Sequence, residues 1–318
     1  MYEAFFGLRE RPFDLAPNPR YLFLSGRQRE ALSTIRYALK GPRGLMLMIG
    51  DAGTGKTTLV QSALAEMGNQ AQCVLLSNPT LTRAEFYEFL ADAFELPGEA
   101  AHSKARFLLD FRRHVEERHL NDRFTAILFD EAQSLPYELL EEVRLLSNIE
   151  TPTTKLLSVV LAGQPELASR LNETELRQLK QRIALRCELA AFDLVETAAY
   201  IAGRIRIAGG APAEIFTRNA VDAIYRGSGG IPRVINVICH NALINGFATQ
   251  AKPIPRTLVE EVLRDFDLTA IAGKESEGND RQASEAPAPD DPPDAKAETA
   301  QEPPPTTRRF QVFGRKRS

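Results

Sequence analysis

Residues 44–60 read GLMLMIGDAGTGKTTLV, and the reading of this stretch decides the fold. It opens on an apolar run, Leu45 to Ile49, of a length suited to a buried strand. Gly50-Asp51-Ala52-Gly53-Thr54-Gly55-Lys56-Thr57 then matches G-x-x-x-x-G-K-[ST], with Thr58 directly after it. A helical pattern follows, with Leu59, Ala63 and Leu64 on one face. Strand, glycine loop and helix form the context in which this motif holds phosphate. Glycines let the backbone bend round an anion, and the exposed N–H groups at the helix start face it. The spacing assigns Lys56 to the β- and γ-phosphates and the Thr57 hydroxyl to Mg²⁺.

Outward from this loop, strand and helix patterns alternate. A helix is expected over 27–39, a second strand over 73–76, and helices over 82–94 and 104–119. A third apolar run, 124–129, ends in Asp130-Glu131, and a helix is expected over 136–149. A fourth strand, 156–161, leads to Gly163-Gln164, and a short fifth lies near 185–189. Such alternation predicts an α/β fold with a parallel sheet covered by helices. From about residue 192 the pattern is purely helical, with helices expected at 194–208, 213–226, 232–249 and 256–266. The chain therefore divides into an aromatic, proline-rich arm (1–25), a nucleotide-binding core (26–191), a helical lid (192–270) and a tail (271–318). Prolines at 12, 17 and 19 argue for an extended arm whose aromatics pack on the domain that follows.

The tail is poor in large apolar residues, so disorder is expected there. Its end places Arg308, Arg309, Arg315, Lys316 and Arg317 around Phe310, Val312 and Phe313. That end reads as a solvated tail, or as a contact for an acidic partner or an anionic membrane. The net charge of −3 gives no bulk attraction to nucleic acid. Three widely spaced cysteines suggest neither disulfides nor zinc, and a reduced cytoplasmic setting fits them. The N-terminus mixes acidic and basic residues among its aromatics, unlike a signal peptide. No apolar run reaches the ~18 residues of a membrane span.

Hydrolysis needs more than a phosphate loop. Asp130, at a strand exit, is placed to hold the metal's water shell beside Thr57, and Glu131 to polarise a water against the γ-phosphate. Gln164, directly after the fourth strand, either contacts that water or the γ-phosphate, or caps the next helix. Residues 176–186, LRQLKQRIALR, form a basic stripe. One arginine there, Arg182 first and Arg177 or Arg186 as alternatives, would reach a neighbouring subunit's γ-phosphate; a solvated or DNA-facing stripe is the other reading.

The opening MY…FFGL…PF…PNPRY, then GDAGTGKTT, LFDEAQ, LAGQPEL, LRQLKQRI and GGIPRVIN, resemble AAA+ ATPases of the general secretion pathway protein A (ExeA-like) type. The resemblance spans residues 1 to about 268, and the opening segment separates this type from other AAA+ proteins. It implies a five-stranded AAA+ core with a helical lid, Gln164 as first sensor, Arg233 as second sensor, and Arg29-Glu30 beside the adenine. It implies a cytoplasmic, oligomeric ATP hydrolase, peripheral at most to the inner membrane, serving secretin placement, pilus biogenesis or polysaccharide export. Long members add a transmembrane helix and a periplasmic peptidoglycan-binding domain; here the tail is expected in their place. Envelope export or secretion proteins are the expected partners, with a DNA-associated ATPase, such as a transposition regulator, as the alternative.

Overall fold

The strand Gly44–Gly50 (β1) is buried at all seven positions. Its side chains divide between two cores: Leu45, Leu47 and Ile49 enter one, Met46 and Met48 the other. A strand covered on both faces must be apolar throughout, and this one is. In the computed structural model, residues 1–15, 18–40, 44–77 and 80–267 are described, so the tail expected at 271–318 lies outside the described residues. These residues fall within one compact unit, Met1–Ser276.

In chain order the elements are α1 (Tyr2–Phe6), α2 (Gly26–Leu39), β1, α3 (Lys56–Met67), β2 (Ala71–Leu76), α4 (Arg83–Ala93), α5 (Glu99–His102), α6 (Lys104–Leu120) and β3 (Phe124–Phe129). Next come α7 (Tyr137–Leu146), β4 (Ser158–Gly163), α8 (Pro165–Arg170), α9 (Arg177–Gln181) and β5 (Ile183–Leu189). The helical part follows as α10 (Leu194–Ile207), α11 (Pro212–Ile215), α12 (Arg218–Ser228), α13 (Pro232–Ala248) and α14 (Arg256–Asp265).

The five strands form a parallel sheet in the order β2-β3-β4-β1-β5. Helices α4, α6 and α7 cover one face, and α2 and α3 the other. Because β4 lies between β1 and β3, the loops leaving β1 and β3 meet across the end of β4. That is a crevice at the carboxyl edge of an open sheet, where such folds take ligands.

Three expectations need correction. The N-terminal arm is not extended onto the domain that follows it. Tyr2–Phe6 is helical, and Tyr2, Phe6, Leu8 and Phe13 are buried in a third core with α10–α14. Phe5 packs edge-on against Phe247, Phe13 against Phe216, and Phe23 against Phe192 and Tyr200. A helical unit this small leaves apolar surface uncovered, and the arm covers it. The helix expected at 213–226 is two helices. Thr217 accepts from the Ala220 N–H at 3.1 Å and starts α12 afresh, while Phe216 turns inward. The helix expected to run to 149 ends at Leu146.

Candidate functional site: a nucleotide cleft between sheet and helical unit

The phosphate loop links β1 to α3, whose first turn carries no side-chain cap at Gly55. The N–H groups of that turn are therefore presented toward an anion. Lys56 is buried, and its Nζ donates to the carbonyls of Gly50 at 2.8 Å and Asp51 at 3.0 Å. Burial draws its ammonium below the usual lysine value, opposed by the carboxylates of Glu131, Asp130 and Asp51. An anion arriving in the loop would offset the cost of that desolvation by favouring the charged ammonium.

Thr57 Oγ1 donates to Asp130 Oδ2 at 2.5 Å, joining the first turn of α3 to the end of β3. Asp130 is buried, and its Oδ1 accepts from the Glu131 N–H at 3.0 Å. Among the described residues no group of three or more His, Cys, Asp or Glu could hold a metal ion. A hydroxyl and one carboxylate nonetheless suit Mg²⁺, which keeps waters and takes its remaining oxygens from phosphate.

Glu131 sits at φ 50°, a left-handed conformation uncommon for a residue with a side chain. Its Oε2 accepts from Gln133 Nε2 at 2.6 Å and from Gln164 Nε2 at 3.0 Å. The Gln164 amide, with help from Gln133 and Lys56, keeps this carboxyl below its ordinary range against the opposing effect of burial. Gln164 stands at the start of α8, but its side chain makes no cap; it points at Glu131.

The helical unit closes the cleft from the other side. The Arg233 N–H donates to the Gly53 carbonyl at 3.3 Å. Gly53 has φ +83°, and a Cβ there would lie 2.8 Å from the Arg233 Cβ, so only glycine permits this approach. The cavity holds about 370 Å³. Gly53, Thr54, Gly55, Lys56, Thr57, Thr58 and Glu131 line its phosphate end, with Pro232 and Arg233 facing them.

Residues that the motifs did not announce line the rest: Leu22, Phe23 and Gln28 from the arm and α2, and Phe192, Tyr200, Arg204 and Asn236 from the helical unit. Asn236 was within reach of sequence reasoning, since it lies three residues after Arg233 on the same helix face. Arg204 was not. It is buried, donates from Nε to Pro12 O at 2.5 Å and from Nη1 to Tyr200 Oη at 2.8 Å, and stacks over Tyr21 at 4.7 Å. Arg29 and Glu30, expected beside the base, are exposed and do not line the cavity; the buried neighbour Gln28 does. The helix α2 turns Gln28 inward through a capping box with Ser25, which points the next two residues outward. Arg177 on α9, Arg182 between α9 and β5, and Arg186 on β5 are exposed, and none of them lines this cavity.

A phosphate loop on β1, a carboxylate pair at the end of β3 and a helical unit folded over both give the chain a P-loop fold of the AAA type. Residues 39–171 match the AAA domain family. The chain is 41% identical over 281 residues to General secretion pathway protein A of Aeromonas hydrophila, covering 87% of this chain and 50% of that protein. It thus spans about half the length of that relative. Among solved structures it resembles the ORC2 protein of Aeropyrum pernix in its ADPNP–ADP complexes (TM-score 0.58, 19% identity, 80% of this chain and 71% of that one). It also resembles Cdc6p of Pyrobaculum aerophilum (TM-score 0.57, 15% identity, 76% and 67%). At those identities the likeness concerns the fold alone.

Proposed function

We propose that this chain hydrolyses ATP and uses the cycle to drive or switch assembly of a cell-envelope export system, of the secretion, pilus or polysaccharide type. The observation that carries the enzymatic part is convergence. Lys56, Thr57, Asp130 and Glu131 come from two strand ends separated by β4, yet meet at one cleft. In this reading the loop N–H groups and Lys56 take the phosphates, and Thr57 and Asp130 hold Mg²⁺. The bound Mg²⁺ would offset charge on the phosphate oxygens. Glu131 accepts the proton of the attacking water, and Gln164 orients it. Arg233 reports the γ-phosphate to the helical unit, residues 192–270, which we read as a lid on the core formed by 26–191. The arm, 1–25, would move with that lid because Phe6, Phe13 and Arg204 bind it there.

The export role draws on the 41% identity to a protein named for the general secretion pathway. The partners would be proteins of that machinery and further copies of this chain, with Arg182 reaching a neighbour's γ-phosphate and Arg177 or Arg186 as alternatives. Among the described residues no helix is long and apolar enough to cross a membrane. In this reading the work is done on the cytoplasmic side, where ATP is available, and membrane contact at the inner membrane would be peripheral.

Lys56→Ala should abolish nucleotide binding. Glu131→Gln should retain binding and lower turnover by about 10²- to 10⁴-fold, the usual contribution of a general base. Undiminished turnover in Glu131→Gln would remove it as the base. Affinity purification with ATP-loaded Glu131→Gln should recover envelope-assembly proteins. Recovery of duplex DNA instead, with affinity falling steeply in salt, would favour a DNA-associated ATPase.

A further inference from the structure

Gln133 lies two residues past the carboxylate pair, in the short helical turn Ala132–Ser134. Its amide is used at both ends. Nε2 donates to Glu131 Oε2 at 2.6 Å, and Oε1 accepts from the Gln164 N–H at 3.1 Å. The side chain therefore ties the carboxylate after β3 to the backbone after β4. The main chain on either side is held as well. Arg170, the last residue of α8, donates from Nη1 to the carbonyls of Gln133 at 2.5 Å and Leu135 at 2.9 Å. Its guanidinium lies 4.7 Å over the ring of Tyr137, whose hydroxyl donates to Glu173.

We propose that Gln133 is the positioning residue for Glu131, with Arg170 as its brace. The assignment rests on the reading of Glu131 as the general base. Both amides, from Gln133 and Gln164, take the same carboxylate oxygen, Oε2. This leaves Oε1 to accept the proton of the attacking water. A glutamate held in a left-handed backbone conformation has a costly local geometry, and something outside it must maintain that geometry. The Arg170 contacts to the carbonyls of Gln133 and Leu135 do so. Rotation of Glu131 about its side chain would otherwise spread its oxygens over several orientations, and a base misplaced by about 1 Å loses about 10²-fold in rate.

The test uses this chain with ATP and Mg²⁺, measuring kcat and KM separately, and binding of a fluorescent ATP analogue. Gln133→Ala should lower kcat about 10- to 100-fold, less than loss of the base itself, with analogue affinity unchanged. Arg170→Ala should lower kcat in the same sense, and Arg170→Lys should not restore it, since a single ammonium cannot reproduce the planar contact over Tyr137. If Gln133→Ala turns over like the parent, or loses analogue binding together with kcat, the assignment is overturned. Glu131→Gln, run alongside, separates the two levels. An inactive Glu131→Gln beside a fully active Gln133→Ala refutes only the role of Gln133, whereas an active Glu131→Gln refutes the base and with it this inference.

Discussion

Replacing Gly230 by alanine should disrupt the helical unit at its entry segment more than any other single-methyl change near the cleft. Gly230 has φ +73°, and its carbonyl accepts from the Phe192 N–H at 2.9 Å, at the junction between β5 and α10. A Cβ at this position would stand 1.9 Å from the Phe192 carbonyl oxygen and 2.9 Å from its carbon. Both are main-chain atoms, so no side-chain rotation relieves the overlap. The left-handed conformation costs a residue with a side chain about 1–2 kcal/mol. Displacing the backbone adds about 1–3 kcal/mol, and losing the hydrogen bond about 0.5–1.5 kcal/mol. The neighbouring Gly229 supplies the control. It also has positive φ, +56°, but a Cβ there meets nothing within 4 Å, so Gly229→Ala should cost only the conformational part. Urea denaturation followed by circular dichroism should place Gly230→Ala about 3–6 kcal/mol below the parent and Gly229→Ala within about 2 kcal/mol of it. Nucleotide affinity should fall in Gly230→Ala as well, because Phe192, Pro232 and Arg233 line the cavity on either side of this contact. If Gly230→Ala is no less stable than Gly229→Ala, the close approach of the two backbones is not what fixes the entry segment of the helical unit against α13.

Arg204→Ala should cost about 2–4 kcal/mol, since it removes charged hydrogen bonds to Pro12 and Tyr200 from a buried position. Limited proteolysis should then cut the arm near residues 9–15 faster than in the parent. Thr57→Ser keeps the hydroxyl that faces Asp130 and should retain turnover, whereas Thr57→Ala should require far more Mg²⁺ for half-maximal rate; equal Mg²⁺ dependence would remove Thr57 from the metal's surroundings. Glu131 is a carboxyl whose folded value is depressed below the ordinary 4.5. Its ionised form contributes stability that is complete above that value and lost as pH falls through the lowered one. The stability advantage of the parent over Glu131→Gln should therefore shrink as pH falls below the ordinary carboxylate value in urea titrations. A constant difference through that fall would mean the two amides do not favour the charged form.

The division between what was readable along the chain and what was not follows the range of the forces involved. Residues 44–60 were legible because a covered strand is apolar at every position, and because a loop wrapping a phosphate needs glycines and a lysine at fixed spacing. The Asp130-Glu131 pair was legible for the same reason: strand, exit and carboxylates are contiguous. The break at Thr217 was not, since a continuous apolar stripe hid a cap whose partner is Ala220. Arg29-Glu30 were placed beside the adenine by the family resemblance, but the capping box of Ser25 and Gln28 decides which face of α2 turns inward.

What the sequence alone determined is the set of local devices: an α/β core of alternating strands and helices, a phosphate loop, a carboxylate pair and a helical unit behind them. Which aromatics cover which surface was decided only in three dimensions. Burial of apolar area has no direction along the chain, so the arm passes over the core that follows it and settles on helices about 190 residues away, where Arg204 meets Pro12. The order β2-β3-β4-β1-β5 likewise brings Gln133 and Gln164 to the same carboxylate oxygen. No spacing rule links two amides from different strand ends; their meeting depends on β3 and β4 lying side by side.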